Sequence, residues 1–92
     1  MNRPLFSLGR MVATPGALDA LADSEQHPLP FLLRHACGDW GVVCEDDREA
    51  NRDALRDGAR IFSAYLTAKG VKIWVITEAD RSSTTVLLPS EY

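Results

Sequence analysis

Apolar and polar positions follow two different periods along this chain, and the main change falls at Gly58. The chain opens extended: Phe6, Leu8, Arg10 and Val12 share one parity between Leu5 and Ala13, which predicts a short strand or arm, with Gly9 as a weak point or bulge. Thr14-Pro15 is a helix start, because Thr accepts from first-turn amides and Pro at the first helical position loses no bond. Leu18, Leu21 and Ala22 then form a stripe at helical spacing that fades near Ser24. His27-Pro28-Leu29-Pro30 reads as a break, since each proline disfavours helix in the residue before it. Pro30 opens a second short helix, Phe31 to Ala36, with Gly38 at the expected left-handed cap. Gly38-Asp39-Trp40-Gly41 is a turn, and Val42-Val43 a short extended piece. Asp46 with Glu49 matches a capping box for a third helix, Asp47 to about Asp57, ended by Gly58. Ala50, Ala54 and Leu55 face inward in that helix, and Arg48, Glu49, Arg52, Asp53, Arg56 and Asp57 make an ion-paired outer surface.

After Gly58 the period is two. Ile61–Leu66, Val71–Thr77 and Thr84–Leu88 are strands, separated by turns at Ala68-Lys69-Gly70 and Asp80-Arg81-Ser82-Ser83, and Pro89 stops the last one. The competing assignment carries the third helix on through Ile61–Leu66. The fold class expected is α+β: an N-terminal extended segment, two or three short helices, and a C-terminal three-stranded antiparallel β-meander, in one domain spanning residues 1–92.

Composition narrows the function classes. An apolar fraction of 46% and a charged fraction of 25% describe a globular chain rather than a disordered one. The net charge of −3, from 13 acidic and 10 basic residues, disfavours a generic nucleic-acid surface. No apolar run is long enough for a bilayer, the start of the chain has no secretory apolar core, and two cysteines do not make a disulfide framework. Together these predict a cytoplasmic protein without a membrane partner.

Several segments also occur in a recognisable order: Phe6-Ser7-Leu8-Gly9-Arg10, Ala13-Thr14-Pro15-Gly16-Ala17-Leu18, Arg34-His35, Gly38-Asp39-Trp40-Gly41, and Ile76-Thr77-Glu78-Ala79-Asp80-Arg81-Ser82 followed by Thr84-Thr85 and Leu87-Leu88-Pro89. Across nearly its whole length the chain resembles a family of small, uncharacterised bacterial proteins carried on plasmids and integrative elements, the plasmid-related proteins. The resemblance implies a bacterial mobile-element context. It implies no activity and no catalytic residues, and the cysteine pair is not part of its pattern.

Candidate chemistry is sparse. His35, Cys37 and Cys44, with Asp39 and Glu45 nearby, are zinc-ligand types without the paired spacing of a zinc site, so no metal or cofactor is expected. His35 and Cys37 lie two apart on a predicted helix, on different faces, which argues against a nucleophile–base pair. Glu78, Asp80, Arg81, Ser82 and Ser83 cluster at a hairpin tip, where turn propensity explains Asp and Ser and where loops also carry function. Trp74 is expected mid-strand against a helix. Trp40, flanked by glycine and aspartate in a polar turn, either covers the core edge or serves as an exposed anchor. The candidate binding residues are therefore Trp40, Glu78, Asp80, Arg81 and Ser82, with the acidic run Glu45-Asp46-Asp47 as a further contact.

Two readings follow. One is a non-enzymatic interaction protein of a mobile element that binds a protein partner and modulates host defence, maintenance or transfer. The other is a small RNA- or DNA-acting protein of the compact toxin-nuclease type, using Arg34, His35, Glu78, Asp80 and Arg81. Convergence of His35 with the tip in one cleft would favour the second. An exposed edge strand could also pair with a second copy.

Overall fold

The computed structural model describes residues 3–92; Met1 and Asn2, part of the stretch examined for a leader, lie outside them. The elements are β1 (Arg10–Ala13), α1 (Pro15–Asp23), α2 (Pro28–Ala36), α3 (Glu45–Asp57), β2 (Ile61–Leu66), β3 (Lys72–Thr77), β4 (Ser83–Leu87) and a 3-10 turn, Pro89–Glu91. They form an α+β fold around a four-stranded mixed sheet in the order β1-β4-β3-β2. The expected antiparallel meander is present, with Ile61 opposite Thr77 and Val75 opposite Val86. The amino-terminal segment adds a fourth strand, parallel to β4, with Arg10 opposite Ser83 and Ala13 opposite Val86.

Local chemistry explains the boundaries. Thr14 caps α1, its hydroxyl accepting from the Ala17 amide at 3.2 Å. Of the expected stripe of α1, Leu21 is buried while Leu18 and Ala22 are exposed, and Ala17 is the other inward residue. Helix α2 begins at Pro28 rather than Phe31. Both Pro28 and Pro30 fall in its first turn, where amides have no helical acceptor, so neither proline costs a bond. Helix α3 begins at Glu45 behind Cys44 without a side-chain cap, so the Asp46–Glu49 box does not form. It ends at Gly58, which adopts the left-handed conformation at φ 75°. Beyond that glycine the chain is strand, not a continued helix.

Sheet alternation assigns the two faces. Tyr65, Ile73, Val75 and Val86 point to α1 and α2, where they pack with Ala17, Leu21, Phe31 and Leu32. Burial of each large side chain there is worth roughly 1.5–3 kcal/mol. A second cluster joins Trp40, Val43, Ala54, Ile61 and Ala64 beside α3, with Phe6, Leu55, Phe62 and Trp74 against it.

The outer edge of β2 is closed. The Asn51 side-chain amide donates to Phe62 O at 2.7 Å and accepts from Phe62 N at 3.0 Å, replacing a strand with one residue. Trp40 O accepts from Ala64 N at 3.1 Å, and Val42 N donates to Ala64 O at 2.7 Å. Gly41 between them is required: at φ 75° any Cβ would stand 2.0 Å from Ala64 O.

Candidate functional site

His35 is fully buried and anchors a chain of hydrogen bonds. Its Nδ1 lies 2.5 Å from Ser63 Oγ and its Nε2 2.9 Å from Thr77 Oγ1. Thr77 Oγ1 lies 2.7 Å from Thr84 Oγ1, which donates to Leu8 O at 2.7 Å. That last bond fixes the direction of two others. Thr84 spends its hydrogen on the carbonyl, so Thr77 donates to Thr84 and His35 Nε2–H donates to Thr77. Burial pushes the imidazole pKa down to about 4, which favours the neutral ring with its proton on Nε2. Phe6 and Trp40 pack their rings on it at centroid distances of 5.3 and 5.9 Å.

Trp40 is 5% exposed and belongs to this interior, so the anchor role considered for it has no surface to act through. Arg81 is also committed internally. It adopts φ 61°, its Nη1 donates to Ala59 O at 2.6 Å and its Nη2 to Ala54 O at 3.0 Å, and its guanidinium lies 5.6 Å from the Phe6 ring centre. It thereby ties the hairpin tip to the carboxy end of α3, where a cation meets the helix dipole favourably. Gly9 packs so closely under the tip that a Cβ would stand 2.4 Å from Arg81 O.

Of the other tip residues, Asp80 accepts from Ser82 N at 3.0 Å, and its bonds from the Ser82 hydroxyl and amide hold its carboxyl below the usual range. Glu78 pairs with Arg60 at 3.5 Å. Arg34 is 2.7 Å from Asp39 and 4.6 Å from the Tyr65 ring centre, and that hydrogen bond lowers the Asp39 pKa. The five residues proposed for nucleic-acid chemistry therefore do not share a cleft: His35 is sealed, Arg81 and Arg34 serve internal contacts, and Glu78 and Asp80 are at the surface. Cys37 is half-buried at the end of α2 and Cys44 exposed ahead of α3, and among the described residues no three His, Cys, Asp or Glu side chains gather as a metal site.

An aromatic concavity lies elsewhere, on the sheet face turned away from α1 and α2. A cleft of about 350 Å³ is lined by Asp47, Arg60, Phe62, Trp74, Ile76 and Tyr92. Trp74, expected against a helix, packs against the cluster beside α3 and meets Phe62 edge-on at 5.2 Å and Tyr92 edge-on at 5.7 Å. Both walls are fastened. Helix α3 is held to β2 through Asn51, and the carboxy-terminal turn is held through Glu91, which accepts from the Thr14 hydroxyl and from the Gly16 and Leu88 amides. Glu78 adjoins the cleft through Arg60, whose Nη1 donates to Tyr92 Oη at 2.7 Å.

Sequence reasoning passed over Phe62, Tyr92 and Asp47's place beside them. A signal existed: β3 is apolar on both parities, Ile73 and Val75 on one and Trp74 and Ile76 on the other, although α1 and α2 cover only one face. Among the described residues no helix is long and apolar enough to cross a membrane. Comparison with protein-family models, curated proteins and solved structures found no match.

Proposed function

We propose that this chain is a small non-enzymatic binding protein of a bacterial mobile element, acting on a partner protein through the open face of its sheet. The observation that carries the reading is the aromatic cleft. It leaves rings of Phe62, Trp74 and Tyr92 partly accessible in a concave site with fastened walls, the kind of preformed apolar surface that recognition uses. Glu78 adjoins it through Arg60, and the exposed tip residues Asp80 and Ser82 are further contacts in this reading. The acid/base candidates add support by being spent on internal bonds. The mobile-element setting, and modulation of host defence as its purpose, rest on the family resemblance.

The test is affinity capture from a bacterial host with wild-type protein and a Tyr92→Ala variant. A stable partner that is recovered by the first and lost with the second is expected; equal recovery, or none, sinks the reading.

A second reading has one observation in its favour. Aromatic rings on a sheet face near Arg60 and Lys72 resemble a stacking platform for single-stranded bases. The carboxylates of Asp47 and Glu78 oppose it, since a phosphate backbone would meet them first. Binding of a labelled single-stranded oligonucleotide at low salt, weakened by Arg60→Gln, would favour this reading over the first.

A further inference from the structure

We infer that the aromatic cleft takes the cationic end of a lysine or arginine side chain presented by the partner, an inference that rests on the binding role proposed above and names the group recognised. Three aromatic rings meet there nearly at right angles, Phe62 with Trp74 at 86° and Trp74 with Tyr92 at 72°. Rings so arranged present adjoining walls, and ring faces attract organic cations.

The rest of the molecule shows the same chemistry already satisfied. Arg34 lies over Tyr65 and Phe31, and Arg81 over Phe6. Among the described residues no lysine or arginine lies over Phe62, Trp74 or Tyr92. Among the described residues the one cation lining the cleft, Arg60, is held by the Tyr92 hydroxyl and by Glu78.

Charge points the same way. Asp47 lines the cleft and forms no ion pair among the described residues, whereas Glu78 is already matched to Arg60. Two carboxylates against one guanidinium leave the site negative, and Asp46 extends that charge along the first turn of α3, where Glu45 is already paired with Arg52. An apolar side-chain stem with a cationic head suits an aromatic floor beside an unpaired carboxylate. A purely apolar anchor would leave Asp47 desolvated without compensation.

The experiment is an NMR titration of the full chain with blocked amino-acid amides: Nα-acetyl lysine methylamide, the arginine analogue, and the norleucine analogue as a neutral control of similar length. Choline provides a small quaternary ammonium for comparison. The Trp74 indole N–H is the reporter, and the buried Trp40 indole is its internal reference. Saturable movement of Trp74 but not Trp40 is expected with the lysine or arginine amide, with the norleucine amide weaker by about fivefold or more. Asp47→Asn, at a carboxylate that makes no internal bond, should weaken the cationic amides by roughly three- to tenfold and leave norleucine unchanged. Tyr92→Leu should weaken them similarly.

Equal binding of the norleucine amide, or no effect of Asp47→Asn, overturns the inference in favour of a simple apolar groove. Binding of choline without either side-chain amide overturns it in favour of a small-molecule site. A partner captured through Tyr92 alongside a negative titration leaves the binding role standing and removes the cation. A positive titration with no captured partner does the reverse.

Discussion

Two groups of three rings divide the molecule between architecture and recognition. Phe6, His35 and Trp40 stack in the interior, with the chain's own Arg81 over Phe6 and every polar atom of His35 bonded. Phe62, Trp74 and Tyr92 meet at similar distances on the other face of the sheet, half open to solvent and with Asp47 beside them. The first group is complete within the chain. The second has ring surface and negative charge that the chain itself does not use. Similar side chains thus acquire different roles according to whether the fold supplies their partners.

Substitutions can break this contrast, and the largest effect belongs to the interior. His35→Ala removes a buried ring and strands Ser63 and Thr77, and should cost about 4 kcal/mol in chemical denaturation. Acid should act on the same residue. In the unfolded chain His35 has its ordinary pKa near 6.5, and in the folded chain about 4. Between those values the unfolded state binds the extra proton, so stability is full above pH 6.5 and falls as pH drops toward 4. The loss should approach about 3 kcal/mol, and a variant lacking His35 should lose that part of the pH slope. Arg81→Ala removes bonds to Ala54 O and Ala59 O and should cost about 2 kcal/mol, read as a lower denaturation midpoint. The open group should behave oppositely. Tyr92 is 72% exposed, so Tyr92→Ala should change stability by no more than about 1 kcal/mol while abolishing partner capture. Asp47→Asn should be smallest in stability, within about 0.5 kcal/mol, so a larger loss would place Asp47 in the architecture instead.

Much of the fold could be read from local pattern, because caps and periodicity are local facts. Thr14-Pro15, Gly58 and the alternation of Ile61–Leu66, Val71–Thr77 and Thr84–Leu88 each announce an element to within a residue or two. What escaped depends on distant partners. The parallel pairing of β1 with β4 joins residues more than seventy positions apart, and Arg10–Ala13 carries no sign of it. Pro28 and Pro30 read as a break because their tolerance inside a first turn depends on where the helix begins. Asn51 carries no local sign of its role, because its partner is the backbone of Phe62. The hairpin tip was placed correctly as a turn, but its most conspicuous residue, Arg81, faces inward because the carboxy end of α3 brings the Ala54 and Ala59 carbonyls beneath it. Trp74 was recognised as a strand residue, and its face could not be assigned until the number of helices covering the sheet was known.

The amide of Asn51 has a consequence for stoichiometry. By filling the hydrogen-bonding positions of Phe62, and with Trp40 and Val42 filling those of Ala64, it leaves the four-stranded sheet with growth at one end only, along β1. Two such sheets can meet β1 to β1 and are then finished, whereas a sheet open at both ends can propagate without limit. One side chain and one short backbone segment thus act together as a terminator of polymerisation: a second growing end would need both Asn51 and the Trp40–Val42 segment displaced.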